Sequence, residues 1–111
     1  MMTIPELSPE AFCNRWPQNE VGKEVQLLDV REVAELELAS LPAADHIPMG
    51  QIPQRLEELD SKKPIVVMCH GGARSLRVAQ FLISQGFKEV FNLSGGIDAW
   101  SKQVDPKVPQ Y

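Results

Sequence analysis

At 111 residues, with 43% hydrophobic residues, 23% charged residues and a net charge of −4, the chain fits one soluble domain over residues 1–111. It lacks the basic excess that binds nucleic acid or an anionic membrane surface, so neither partner is expected. The longest apolar run is five residues, Ile65–Cys69, far too short to span a bilayer.

The opening stretch, Met1-Met2-Thr3-Ile4-Pro5-Glu6, has neither the basic patch nor the apolar block of a signal peptide, which gives a cytoplasmic expectation. Ser8-Pro9 predicts a helix start, with serine as N-cap and proline at the first helical position. Phe12 and Trp16 share one face of that helix, and Cys13 beside them reads as a core residue. Val25–Val30 is a predicted strand that turns polar at its end, where Asp29, Arg31 and Glu32 lie. Glu32–Leu38 reads as a helix with Val33 and Leu36 facing inward. A short strand is expected around His46-Ile47, between Pro42 and Pro48, and His46 reads as structural. Ile52, Leu56 and Leu59 then form one stripe of a short helix.

Pro64–Cys69 is the clearest strand, because Ile65, Val66 and Val67 are consecutive and β-branched, as in a strand covered on both faces. It leads through Gly71-Gly72 into a helix predicted from Arg74 to Gln85, with Val78, Ala79 and Leu82 inward. Gly86 suits the position just past that helix, with Phe87 packing back on Leu82. Val90–Leu93 is a last strand; Gly95-Gly96 turns into a short helix beginning at Ile97 and anchored in the core by Trp100. Pro106 and Pro109 exclude a long helix in the tail. This alternation of short apolar runs and amphipathic stretches predicts an α/β domain with a mostly parallel sheet.

Two cysteines, Cys13 and Cys69, are too few for a disulfide scaffold, and with His46 and His70 they give no recognisable metal-ligand spacing. The segment that carries chemistry is Cys69-His70-Gly71-Gly72-Ala73-Arg74-Ser75. It lies beyond the carboxyl end of a buried strand, where open α/β sheets place their sites. A loop that wraps there and enters a helix aims several backbone N–H groups at one point and so cradles an anion. Cys69 stands at its base. A free thiol has a pKa of about 8.5, and helix N-termini and cations lower it to roughly 3.5–7.5. Arg74 is the cation here. An arginine at a helix start opposes the helix dipole and so calls for a functional reason. Asp29 and Arg31, at the strand's carboxyl end, either point to the mouth of the site, or cap the loop, or form an internal ion pair. His70 is either an acceptor contact that tunes charge or an exposed loop residue.

The loop resembles the rhodanese active-site pattern Cys-x-x-Gly-x-Arg-Ser. Leu28-Asp29-Val30-Arg31-Glu32, His46-Ile47-Pro48 and Leu93-Ser94-Gly95-Gly96-Ile97-Asp98-Ala99-Trp100 are similar to further blocks of the same family, in the same order. The ending, Val104–Tyr111, resembles that of rhodanese domains fused to sulfur-carrier activating enzymes. The resemblance implies a three-layer α/β/α fold around a five-stranded parallel sheet. It also implies sulfur transfer through a persulfide on Cys69, with residues His70 to Ser75 binding the anion and no metal or organic cofactor. A small donor such as thiosulfate, and a thiol, protein or cyanide acceptor, are the partners it suggests. Four residues separate Cys69 from Arg74, where related phosphatases have five, and the tighter ring suits sulfur over phosphate. A protein-to-protein persulfide relay, and less so a cysteine-dependent phosphatase or arsenate reductase, are the alternatives.

Overall fold

The computed structural model describes residues 3–111; Met1 and Met2, part of the opening stretch considered above, lie outside the described residues. Among the described residues, nine regular elements, with several short 3₁₀ turns, build one sheet and its flanking helices. They are β1 (Glu6–Leu7), α1 (Pro9–Arg15), β2 (Gln26–Asp29), α2 (Val33–Leu38), β3 (Asp45–His46), β4 (Ile65–Met68), α3 (Ala73–Ser84), β5 (Val90–Leu93) and α4 (Gly96–Gln103). The five strands are all parallel, in the order β1-β5-β4-β2-β3. The implied five-stranded parallel sheet is therefore present. No helix among the described residues is long and apolar enough to cross a membrane.

Strand periodicity explains the layering. Successive side chains point to opposite faces, so Leu28, Val30, Ile65, Val67 and Cys69 join Val78, Ala79 and Leu82 of α3 on one side. Leu27, Val66, Met68 and Leu93 meet Phe12 and Trp16 from α1 and Ile97 and Trp100 from α4 on the other. Phe12 links that second cluster, with ring centroids 5.6 Å from Trp16 and 5.9 Å from Trp100. Truncating such a buried aromatic costs about 3–5 kcal/mol. Cys13 is half-buried against this cluster, as its sequence setting predicts.

The helix boundaries follow local chemistry. Ser8 accepts the Ala11 N–H at 3.1 Å, and Pro9 opens α1. At the far end of α3, Gly86 N–H donates to Ile83 O at 3.1 Å and Phe87 N–H to Leu82 O at 3.1 Å, the paired bonds that close a helix with a left-handed residue.

Four expectations are corrected. The fifth strand is Glu6–Leu7, a stretch whose two residues show no strand pattern; pairing with Asn92 and Leu93 makes it one. The third strand is Asp45–His46, one residue earlier than expected. Val33 does not face inward: it is 63% exposed, and α2 buries no residue. With six residues, α2 is too short to present an apolar stripe, and polar bonds at its N-terminus hold it instead. Residues 53–58 form 3₁₀ turns with a break at Arg55 rather than an α-helix, although Ile52 and Leu59 still reach the core.

Candidate functional site

Cys69 directly follows β4, the central strand, and α3 begins at Ala73, so the chain must turn back on itself within three residues. Two glycines make this possible. Gly72 takes φ of 115°, which an L side chain resists, and its N–H meets the Cys69 sulfur at 3.0 Å. Gly96 carries the loop from beneath: a Cβ there would lie 2.3 Å from Cys69 O and 2.4 Å from His70 O. Those two carbonyls accept the Ile97 and Asp98 N–H groups at 2.9 and 3.2 Å. The first turn of α4 thus draws the loop carbonyls to itself and leaves the loop N–H groups for the sulfur.

Around Sγ the result is a ring of donors. Besides Gly72, the Ser75 N–H lies at 3.4 Å and the Ser75 hydroxyl at 3.3 Å. Burial raises the thiol pKa, but bonds from the Ser75 hydroxyl and from the N–H groups of Ser75, Gly72 and Arg74 outweigh it, and the net shift is downward. Cys13 differs: burial alone pushes its thiol up. Cys69 is thus the thiol poised to ionise, although it is only 1% exposed.

The loop residues named from sequence sit together: His70 and Arg74 half-buried, Gly71 and Ala73 exposed, Ser75 fully buried. Asp29 and Arg31 form the internal ion pair, both at most 2% exposed, with Arg31 Nη2 donating to Asp29 Oδ2 at 2.7 Å and Nε to Oδ1 at 3.0 Å. Arg31 also donates to Ala39 O at 2.9 Å and Glu35 O at 3.3 Å, fixing the backbone within α2 and at its C-terminal end. His46 bonds Arg31 O through Nε2 at 2.6 Å, a structural role as expected.

Several participants have no counterpart in the sequence reading. Arg74 does not present a free charge: Nη1 and Nη2 donate to Glu35 Oε1 and Oε2 at 2.6 and 2.9 Å. Tyr111 donates its hydroxyl to Glu35 Oε2 at 2.7 Å and stacks on His70, with centroids 4.0 Å apart and planes within 10°. Asn92, buried in β5, accepts from the Ser75 hydroxyl at 2.5 Å and donates to Gly72 O at 3.0 Å and to Glu6 Oε2 at 3.1 Å. An asparagine amid the buried run Val90–Leu93 was the available signal, because a buried amide must find partners. For Glu35 it was the spacing from Glu32, which matches a capping box and is one.

Comparison with known proteins agrees with this geometry. The model of the rhodanese-like domain matches residues 16–103. A rhodanese-like/PpiC domain-containing chloroplastic protein of Arabidopsis thaliana is 47% identical over 92 residues; the match takes in 79% of this chain but 31% of that longer protein. A sulfurtransferase of Allochromatium vinosum is 35% identical over 105 residues, 95% of each chain. Among solved structures, a rhodanese-like domain protein of Staphylococcus aureus superposes with a TM-score of 0.79 at 28% identity, covering 97% of this chain and 99% of its own. With the matched model spanning four of the five strands, the Cys69 loop and all of α4, the chain belongs to the rhodanese-like domain family.

Proposed function

We propose that this protein is a sulfurtransferase that carries sulfane sulfur as a persulfide on Cys69. The observation that carries the reading is the ring of donors on one sulfur: the Gly72 N–H, the Ser75 N–H and the Ser75 hydroxyl, all within 3.4 Å. Such a ring favours a thiolate at rest, and it is preorganised to receive the negative charge of a persulfide afterwards. The bonds themselves shift the thiol pKa downward and so favour the nucleophilic thiolate.

In the first half-reaction the Cys69 thiolate attacks the outer sulfur of a donor. With thiosulfate, the donor S–S bond breaks and sulfite leaves with the electron pair. In the second, a thiol, protein or cyanide acceptor attacks the terminal sulfur of the Cys69 persulfide and restores the thiolate. His70, Gly71, Gly72, Ala73, Arg74 and Ser75 form the anion-binding loop, while Asp29 and Arg31 support it from within. The Allochromatium relative's name, sulfurtransferase, supports the reaction class. The four-residue gap between Cys69 and Arg74 supports sulfur over phosphate.

Intact-mass spectrometry tests the reading. Incubation with thiosulfate should add one sulfur atom, removable by dithiothreitol and by cyanide. A protein that stays unloaded by thiosulfate and by organic persulfides alike, or that hydrolyses aryl phosphates efficiently, would contradict it.

A further inference from the structure

The charge of Arg74 is claimed before any donor arrives. Both of its terminal nitrogens are engaged by Glu35, in the two-pronged geometry that suits a guanidinium to a carboxylate. Glu35 is held from two further directions. Glu32 N–H donates to Oε1 at 3.1 Å, and the Tyr111 hydroxyl donates to Oε2 at 2.7 Å. Each carboxylate oxygen thus accepts two bonds. Tyr111 is fixed in turn by Arg31, whose Nη1 donates to its oxygen at 2.9 Å and whose guanidinium carbon lies 5.8 Å from its ring centroid. Its ring covers His70, the residue next to the reactive sulfur. Arg31 is itself balanced by Asp29. Each arginine in this network therefore has its own carboxylate.

The identity of the donor makes this neutralisation consequential. A thiolate attacking thiosulfate gathers three negative charges at one place; attacking an ionised organic persulfide gathers two. Arg74 directly precedes Ser75, whose N–H meets the Cys69 sulfur at 3.4 Å, so its guanidinium belongs to the same loop as the reacting sulfur, and a negative charge on Cys69 helps hold its proton. A cation there would help the dianion more than the monoanion.

We propose that Glu35 and Tyr111 are positioning residues that set donor specificity: by claiming Arg74, they withhold its net charge from the Cys69 cradle and favour an organic persulfide over thiosulfate. This rests on the sulfur-transfer reading above and narrows its donor class. The step balances without a further reagent. The Cys69 thiolate attacks the terminal sulfur of R–S–S⁻, that S–S bond breaks, R–S⁻ leaves with the pair, and the other negative charge stays on Cys69–S–S⁻.

The test is the kinetics of sulfur loading, followed by intact mass, with thiosulfate and with glutathione persulfide as the two probes. Glu35→Gln keeps an acceptor for Arg74 and for the Glu32 N–H but removes the charge. It should raise the ratio of thiosulfate to persulfide second-order loading constants about tenfold, the scale of one partly screened unit charge. The gain should lie in the half-saturating thiosulfate concentration rather than the maximal rate, and it should shrink with added salt. Tyr111→Phe, which keeps the ring on His70 and loses only the hydroxyl, should move the ratio the same way by less, and it decides the matter alone if Glu35→Gln does not fold. An unchanged or lowered ratio, with both donors still loading the wild-type protein, overturns this inference and leaves the parent reading standing. Failure of both donors on the wild-type protein overturns both.

Discussion

Asn92 Oδ1 lies 2.5 Å from the Ser75 hydroxyl and takes the proton of the side chain that rests against the Cys69 sulfur. The amide cannot turn over to release it, because its nitrogen faces Gly72 O and both Glu6 carboxylate oxygens, all acceptors. The hydroxyl has one proton and meets three candidate acceptors: Asn92 Oδ1, Gly72 O and the sulfur. When Cys69 is a thiol, its S–H can donate to Ser75 Oγ; when it ionises, the Ser75 proton can swing to the sulfur.

Ser75→Ala removes this bond and leaves the backbone donors. A hydrogen bond to a charged group contributes about 1.5–3 kcal/mol, so the Cys69 pKa should rise by about one to two units. The rate of iodoacetamide alkylation against pH checks it; an unmoved midpoint would show that the N–H groups alone hold the thiolate.

The buried pair Asp29–Arg31 is a stability element. Asp29→Asn leaves an uncompensated guanidinium that is 0% exposed, and loss of one partner of a buried pair costs about 3–5 kcal/mol. Urea unfolding should report a loss in that range. A loss below about 1 kcal/mol, the size typical of exposed pairs, would contradict the account.

Much of this was legible in the residues. β4 declared itself through Ile65, Val66 and Val67, and the Cys69 loop through its place between that strand and a helix. What escaped was set by partners distant in sequence. Glu6–Leu7 is a strand because Asn92 and Leu93 lie beside it. Glu35 reaches Arg74, 39 residues on, and Tyr111 reaches Glu35 across 76; the spacing from Glu32 marks Glu35 as a capping residue but reveals neither of these contacts. Val33 misled because helical periodicity presumes an inner face, whereas α2 is held by Arg31, Arg74 and its own capping box.

Glu35 gives the fold an acid-sensitive contact. Its bonds from Arg74, and then from Tyr111, hold its carboxyl at about 2, below the ordinary 4.5. A depressed folded-state pKa stabilises above the unfolded value, so the contribution is complete above pH 4.5 and fades as pH falls toward 2. The thermal midpoint of the wild-type protein should exceed that of Glu35→Gln at neutral pH, and the gap should narrow across that window. A gap that is constant with pH would mean the carboxylate's charge contributes nothing to stability.

Gly96→Ala tests how the cradle is held. The new Cβ would meet the Cys69 and His70 carbonyls at contacts no real Cβ tolerates, at a residue with φ of 59°. The loop must shift, and donors aimed within about 3 Å lose their target. Sulfur loading should fall by at least about tenfold, since one lost donor to developing charge costs roughly 10²–10³. Normal loading in a folded variant would show that the contact between α4 and the loop does not shape the site.

The most direct test of the account is to locate the transferred sulfur. Wild-type, Cys69→Ser and Cys13→Ser proteins are loaded with glutathione persulfide, alkylated, digested and mapped by mass spectrometry. The account predicts one added sulfur on the peptide containing Cys69, retained in Cys13→Ser and absent from folded Cys69→Ser. Sulfur found on Cys13, or loading that survives in Cys69→Ser, would contradict it.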